Sequence, residues 1–282
     1  MITLLILLAG LQVHEWGVIT NTPLALGGAV PELQLPDSEL EDRAPVIFFH
    51  GDPCNVTIKI GFPYMGHATT ILPDPDQGGS NSTYLVWDNL ELTESPDAGL
   101  IYGWADSENL NYPIPLWQQV DGLYAVSGNR YNNFLYYGCV PGNPGDLPFI
   151  NQSGNQSFRM PFGEIPCIVL TSAGGRPMFG VFTLADILTS IPKGLQFLEE
   201  PAHLKRELWL WAEEILNEDE FDSFWNTWEA QFLSDSSSEI MILYRVPEEI
   251  VERIASMEIE TDKEMEVEIN RFIIAELSYR TE

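Results

Sequence analysis

The chain has 282 residues, enough for one large domain or two ordinary ones with ample core. A hydrophobic share of 45% excludes a disordered chain. With 42 acidic against 13 basic residues, net −29, the surface repels phosphate backbones and argues against nucleic-acid binding. The plain reading of that charge is a solvated acidic shell; the sharper one is a divalent cation held by clustered oxygens.

Residues 2–11 are almost wholly apolar but too few to cross a bilayer as a helix. They resemble the apolar core of a signal peptide, with small Ala9 and Gly10 near its end. Residues 1–12 are therefore expected to be a leader. Its removal would leave an extracytoplasmic protein (periplasmic, envelope or secreted) with no stable membrane span. The competing reading is a buried first strand. Residues 13–20 read as a strand, and the Pro- and Gly-rich acidic stretch 21–44 as an exposed loop. Residues 44–50 form a β-branched and aromatic run, broken by Gly51-Asp52-Pro53. Residues 55–62 alternate with period two, the mark of a half-buried strand, so the two runs predict a hairpin.

Further short strands are predicted at 65–72, 83–92, 133–137, 157–162, 166–171 and 178–183, with turn formers between them. No βαβ alternation occurs before residue 185. Residues 13–190 are therefore expected to be an antiparallel β-sandwich-like region. After about residue 184 the texture changes. Leu204, Leu208, Trp211 and Ile215 recur at helical spacing, and Phe221, Phe224, Trp225, Trp228 and Phe232 do so in the next segment. A strand is predicted at 239–246, a helix opening at Pro247, an extended run at 255–260 and a helix over 264–277 with Met265, Ile269 and Phe272 inward. Residues 195–282 are expected to form a smaller acidic α+β unit, so the fold class is mixed β and α+β.

The stretch Val13-His14-Glu15-Trp16-Gly17-Val18-Ile19-Thr20 concentrates the most suggestive chemistry. It resembles the HEWGTFT-type opening of a family of exported bacterial proteins of unknown function. Four further stretches are similar in the same order: residues 44–49, the strand around Trp87, residues 134–138 with 146–148 downstream, and residues 224–228 running to 243–247. The chain departs from the family at Val18-Ile19 and lacks an arginine usual near residue 136. The resemblance implies export and a two-part build, and no reaction.

His14 and Glu15 are the candidate catalytic residues. On a strand they point to opposite faces, so they cannot share a metal without a bulge. His14 could join His50, His67 or a carboxylate brought in by the fold, and a zinc site of three ligands and a water would need that kind of convergence. Asp74 and Asp76 offer oxygens for calcium, although the twelfth position of an EF-hand loop starting there is Leu85 rather than Glu. The plain alternatives are a core anchor at Trp16 and a surface turn at 73–79, with no cofactor at all. Trp104, Tyr112 and Trp117, in a loop-rich stretch with Tyr102 and Tyr124, are candidate sugar-stacking rings; the alternative is that they plug the ends of the sandwich. Cys54, Cys139 and Cys167 form no CxxC pair, which leaves one disulfide with a free thiol or three buried thiols. GxSxG and GxxxxGK[ST] are absent. The sequence favours an exported, non-catalytic module that binds a protein or glycan partner; the alternative is a metal-dependent hydrolase centred on His14 and Glu15.

Overall fold

The computed structural model describes residues 10–20, 45–105, 113–140, 164–187, 194–233 and 239–280. Most of the leader, the loop 21–44, Tyr112 and the strand predicted at 157–162 lie outside the described residues. The first half holds β1 (Gly10–Thr20), β2 (Val46–Gly51), β3 (Cys54–Gly61), β4 (His67–Leu72), β5 (Gln77–Gly78), β6 (Tyr84–Thr93) and β7 (Ile101–Tyr102). A short helix α1 (Ile114–Trp117) precedes β8 (Tyr124–Ser127), β9 (Arg130–Asn132) and β10 (Leu135–Val140). Then come β11 (Pro166–Ala173), β12 (Arg176–Thr183), α2 (Leu184–Ile187), β13 (Gln196–Phe197), α3 (Pro201–Ala212) and α4 (Glu218–Phe232). The last elements are β14 (Glu239–Arg245), α5 (Glu248–Ile254), β15 (Ser256–Thr261) and β16 (Glu266–Arg280).

The strands build two sheets of mixed, mainly antiparallel pairing, which makes the fold mixed β and α+β. The larger runs β13-β12-β11-β14-β16-β1-β2-β10-β4 and the smaller β15-β3-β6-β8-β9-β7, with β5 on β6. The alternation read in residues 55–62 is realised in β3, where every second side chain is buried. In β1, Leu11, Val13 and Glu15 face one side, and His14, Trp16 and Val18 the other; all six are buried, as suits a strand covered on both faces. Trp16 packs its ring against Phe48, Trp117 and Phe224, at 6.1, 6.2 and 5.7 Å between centroids. That side of the large sheet is covered by α1 and α4. The Glu15 side meets the small sheet, where the Tyr137 ring lies 5.8 Å from that of Phe62. At Gly17 a Cβ would stand 3.0 Å from the Pro45 Cα, so any side chain there would have to push the Pro45 backbone aside.

Four expectations are corrected. The hairpin predicted from residues 44–50 and 55–62 does not form, because β2 joins the large sheet between β1 and β10 and β3 the small one between β15 and β6. Gly10, Leu11 and Gln12, assigned to the leader, begin β1: Leu11 is fully buried and pairs with Gly51. The helix predicted over 264–277 is β16, parallel to β1 from Glu266 to Glu276. Its run of Val267, Ile269, Ile273 and Ile274 fits a pleated surface better than a helix, and pairing on both edges, with β1 and β14, overrides the helical spacing of Met265, Ile269 and Phe272. Residues 195–282 are not a separate unit, since β14 and β16 lie mid-sheet beside β1, and β15 pairs with β3. No described helix is long and apolar enough to cross a membrane.

Candidate metal centre

Three distant segments converge on the helix-covered face of the large sheet. Strand β1 supplies His14 and β2 supplies His50. The register sets Gln12 opposite His50 and His14 opposite Phe48, so the two histidines are diagonal neighbours on one face. Their rings lie 4.8 Å apart. The N-terminal turn of α4 brings Glu220 over them. The His14 Nδ1 and Glu220 Oε2 are 2.8 Å apart, as are the His50 Nε2 and Glu220 Oε1.

Glu220 is placed by its own helix. It stands three residues after the N-cap Asn217, and its Oε2 accepts a hydrogen bond of 2.8 Å from the Asn217 backbone N–H, the return arm of a capping box. It also begins the buried stripe Glu220, Phe224, Trp228, spaced one turn apart. Burial alone would raise its pKa; the hydrogen bonds from His14 and His50 outweigh burial and hold it at about 2. Glu220 is therefore a fully buried carboxylate that stays ionised.

His50 keeps the most exposed side chain of the three, so access is from its side. Gly122 borders it: a Cβ there would come 2.8 Å from the Phe49 carbonyl oxygen and 3.5 Å from the His50 Cε1. The same loop is tied to α4 by the Asp121 N–H, which donates to the Asp219 Oδ2 at 3.0 Å.

One donor atom from each of His14, His50 and Glu220 lies within 4.8 Å of the others, the only such grouping among the described residues. Two imidazoles and one carboxylate are a recurrent catalytic zinc set, completed by a water. Zinc bonds of ~2.0–2.1 Å would hold tetrahedral donors roughly 3.3 Å apart. To admit an ion, the 2.8 Å contacts would open by roughly half an ångström and the wider donor spacing, up to 4.8 Å, would close.

Of the metal ligands expected from sequence, His14 and His50 come together and the others do not. His67 sits on β4, three strand positions from β1 and roughly 14 Å away at ordinary strand spacing. Asp74 is not in the cluster. Asp76 is engaged elsewhere: its backbone N–H donates to the Val86 carbonyl and its Oδ2 accepts from the Asp88 N–H at 2.7 Å.

Glu15 is corrected as a catalytic candidate. It lies on the opposite face, fully buried, where it accepts hydrogen bonds from the Arg271 Nε and the Tyr137 hydroxyl. The Arg271 Nη1 also donates to the Glu252 Oε1 and the Ala255 carbonyl, each at 2.8 Å. Burial opposes the charge on Arg271, and the Glu15 carboxylate overcomes it and keeps the guanidinium ionised. Burial, then the charge of Glu15, pushes the Tyr137 hydroxyl pKa well up. With its partners so fixed, Glu15 ties β1 to β16 and β10 within the large sheet, and Arg271 carries the network on to α5.

Trp104 and Trp117 are corrected as sugar-stacking rings. Each is 2% exposed. The Trp104 indole N–H donates to the Phe134 carbonyl, and that of Trp117 to the Thr227 hydroxyl. The Trp117 ring is also stacked on Tyr136 at 5.2 Å. Tyr102, by contrast, is 46% exposed and lies 5.2 Å from Tyr131. All three cysteines are free.

In comparisons with known proteins, no family model, curated protein or solved structure matches the chain.

Proposed function

We propose that this protein is a metalloprotein whose centre is His14, His50 and Glu220, and that metal-assisted hydrolysis is the reaction class the centre fits. The observation that carries the reading is the meeting of two imidazoles and an ionised buried carboxylate from three separate segments. That donor set leaves a position for a water, which a bound divalent ion would activate near neutral pH. Each ligand has one role: His14 through Nδ1, His50 through Nε2 and Glu220 through a carboxylate oxygen. Export belongs to the same proposal, supported by the apolar stretch 2–9 and the likeness of the HEWG stretch to an exported family.

The deciding experiment is elemental analysis of purified protein, followed by chelation and zinc add-back. One ion per chain, lost in both His50→Ala and Glu220→Gln, supports the metal centre; absence of stoichiometric metal in well-folded protein rejects it. Zinc-dependent turnover of a panel of esters and peptides then tests hydrolysis.

A second reading, a non-catalytic module that binds a glycan or protein, is favoured by one observation. Tyr102, Tyr131 and Tyr124 form a ring cluster at the β7-β9-β8 edge, with Tyr102 half exposed. Glycan-array binding that Tyr102→Ala abolishes, together with zinc-independent behaviour, would select it.

A further inference from the structure

The end of β14, the start of β11 and α3 bound a cleft of about 330 Å³ that shares no lining residue with the histidine cluster and falls in the size range of small-molecule sites. Its walls are Ile165, Pro166, Leu210, Trp211, Val246 and Pro247, and its polar groups are Arg245 and Glu214. The wall is apolar and partly open, since Leu210 is 51% exposed.

Arg245 is the unusual member. Acidic residues outnumber basic ones threefold, and four cations here sit on carboxylates: Lys59 on Glu260, Arg176 on Glu199, Lys205 on Asp222, Arg271 on Glu15. Arg245 makes no ion pair with a described residue, and Glu248 and Glu214 act on it only at longer range. Burial holds its pKa below the ordinary value, against those two carboxylates. A guanidinium half withdrawn from water loses hydration that a bidentate anion restores.

We propose that this cleft is a binding site for a small amphipathic carboxylate, its apolar body against Trp211, Leu210 and Ile165 and its carboxylate on Arg245. Desolvation selects a monoanion. Stripping water from a dianionic phosphate in a largely apolar cleft costs far more than from a single carboxylate, while Glu214 and Glu248 oppose either anion and the contact with Arg245 must outweigh them. The inference is independent of the metal reading, because no residue is shared.

Octanoate, octanamide and octyl phosphate, titrated by calorimetry into the whole protein, test it. Octanoate is expected to bind, with octanamide and octyl phosphate each at least about tenfold weaker, the worth of a charge-assisted contact. Arg245→Gln should weaken octanoate about tenfold and leave octanamide within about twofold, while Arg245→Lys retains part of the difference. An unchanged circular-dichroism melt establishes that each variant is folded. Equal binding of octanoate and octanamide, tighter binding of octyl phosphate, or no binding of octanoate overturns the proposal. Leu210→Asp closes the apolar wall with a like charge and locates the site: octanoate binding that survives it unchanged also overturns the assignment.

Discussion

His14 and Glu15 are consecutive in sequence, yet their side chains lie on opposite faces of the same sheet and belong to different networks. His14 meets Glu220 under α4, and Glu15 meets Arg271 and Tyr137 on the other side. The two can therefore be altered separately, with different readouts.

Glu220→Gln keeps the side-chain size but removes the charge that both histidines meet. Loss of an outer-sphere partner costs a metal site about 10–100-fold in affinity, and loss of a ligand costs at least as much. Zinc affinity by competition with a chromophoric chelator should fall by at least that factor. A fall under about threefold would remove Glu220 from the centre.

Substitutions on the other face should act on stability. Breaking one partner of a buried pair costs about 3–5 kcal/mol, because the remaining charge is stranded. Arg271→Met is expected to lose that much in urea unfolding. Adding Glu15→Gln should restore part of it, with zinc affinity unchanged in the double variant. A zinc affinity that tracks Glu15 would return it to the metal site.

Acid should act through Glu220. Its folded pKa of about 2 lies below the ordinary glutamate value of about 4.3. A depressed carboxylate favours folding fully above the unfolded value, and that contribution is lost as pH falls through the folded one. In chelator-treated protein, the stability difference between wild type and Glu220→Gln should thus shrink between about pH 4.5 and about pH 2. A difference that is flat across that window contradicts the ionised state.

The thiols should be silent in the native protein. Burial first, then Asp186, pushes the buried Cys167 thiol up to about 12. At pH 8 it carries almost no thiolate, the reactive form. Iodoacetamide should leave Cys167 unmodified until denaturant is added, and mass spectrometry should then find three modified cysteines per chain. Native labelling of Cys167 would show that β11 opens.

Local pattern made part of this architecture legible. The alternation in residues 55–62 and the aromatic spacing from Phe221 to Phe232 give β3 and α4 directly, because each side of those elements has one environment. Residues 264–277 misled although Glu264 to Ile269 alternates exposed and half-buried side chains with the strand period; the helical spacing of Met265, Ile269 and Phe272 competes with it, and from Arg271 to Glu276 every side chain is buried, so no polar face marks the period there until β1 and β14 pair with it. In the site, His14 and His50 were readable as candidates, but their adjacency depends on strand register. Glu220 was hidden among Glu218 and Asp219 in a first helical turn where acids are common. Two signals distinguish it: its place three residues after Asn217, and its alignment with Phe224 and Trp228.

The parallel pairing of β1 with β16 has a consequence for assembly. Gly10 aligns with Glu266, so the first described strand cannot take its final neighbour until nearly the whole described chain is free. Such long-range closure is slow compared with hairpin formation. Pairing of β1 with β2 closes a far shorter loop than the one that brings Glu220, some 170 residues beyond His50, over the two histidines. An ion arriving early would find two imidazoles and no carboxylate. If the proposed centre binds zinc, full coordination would report a completed fold, and the time course of metal uptake would serve as a clock for the last steps of folding.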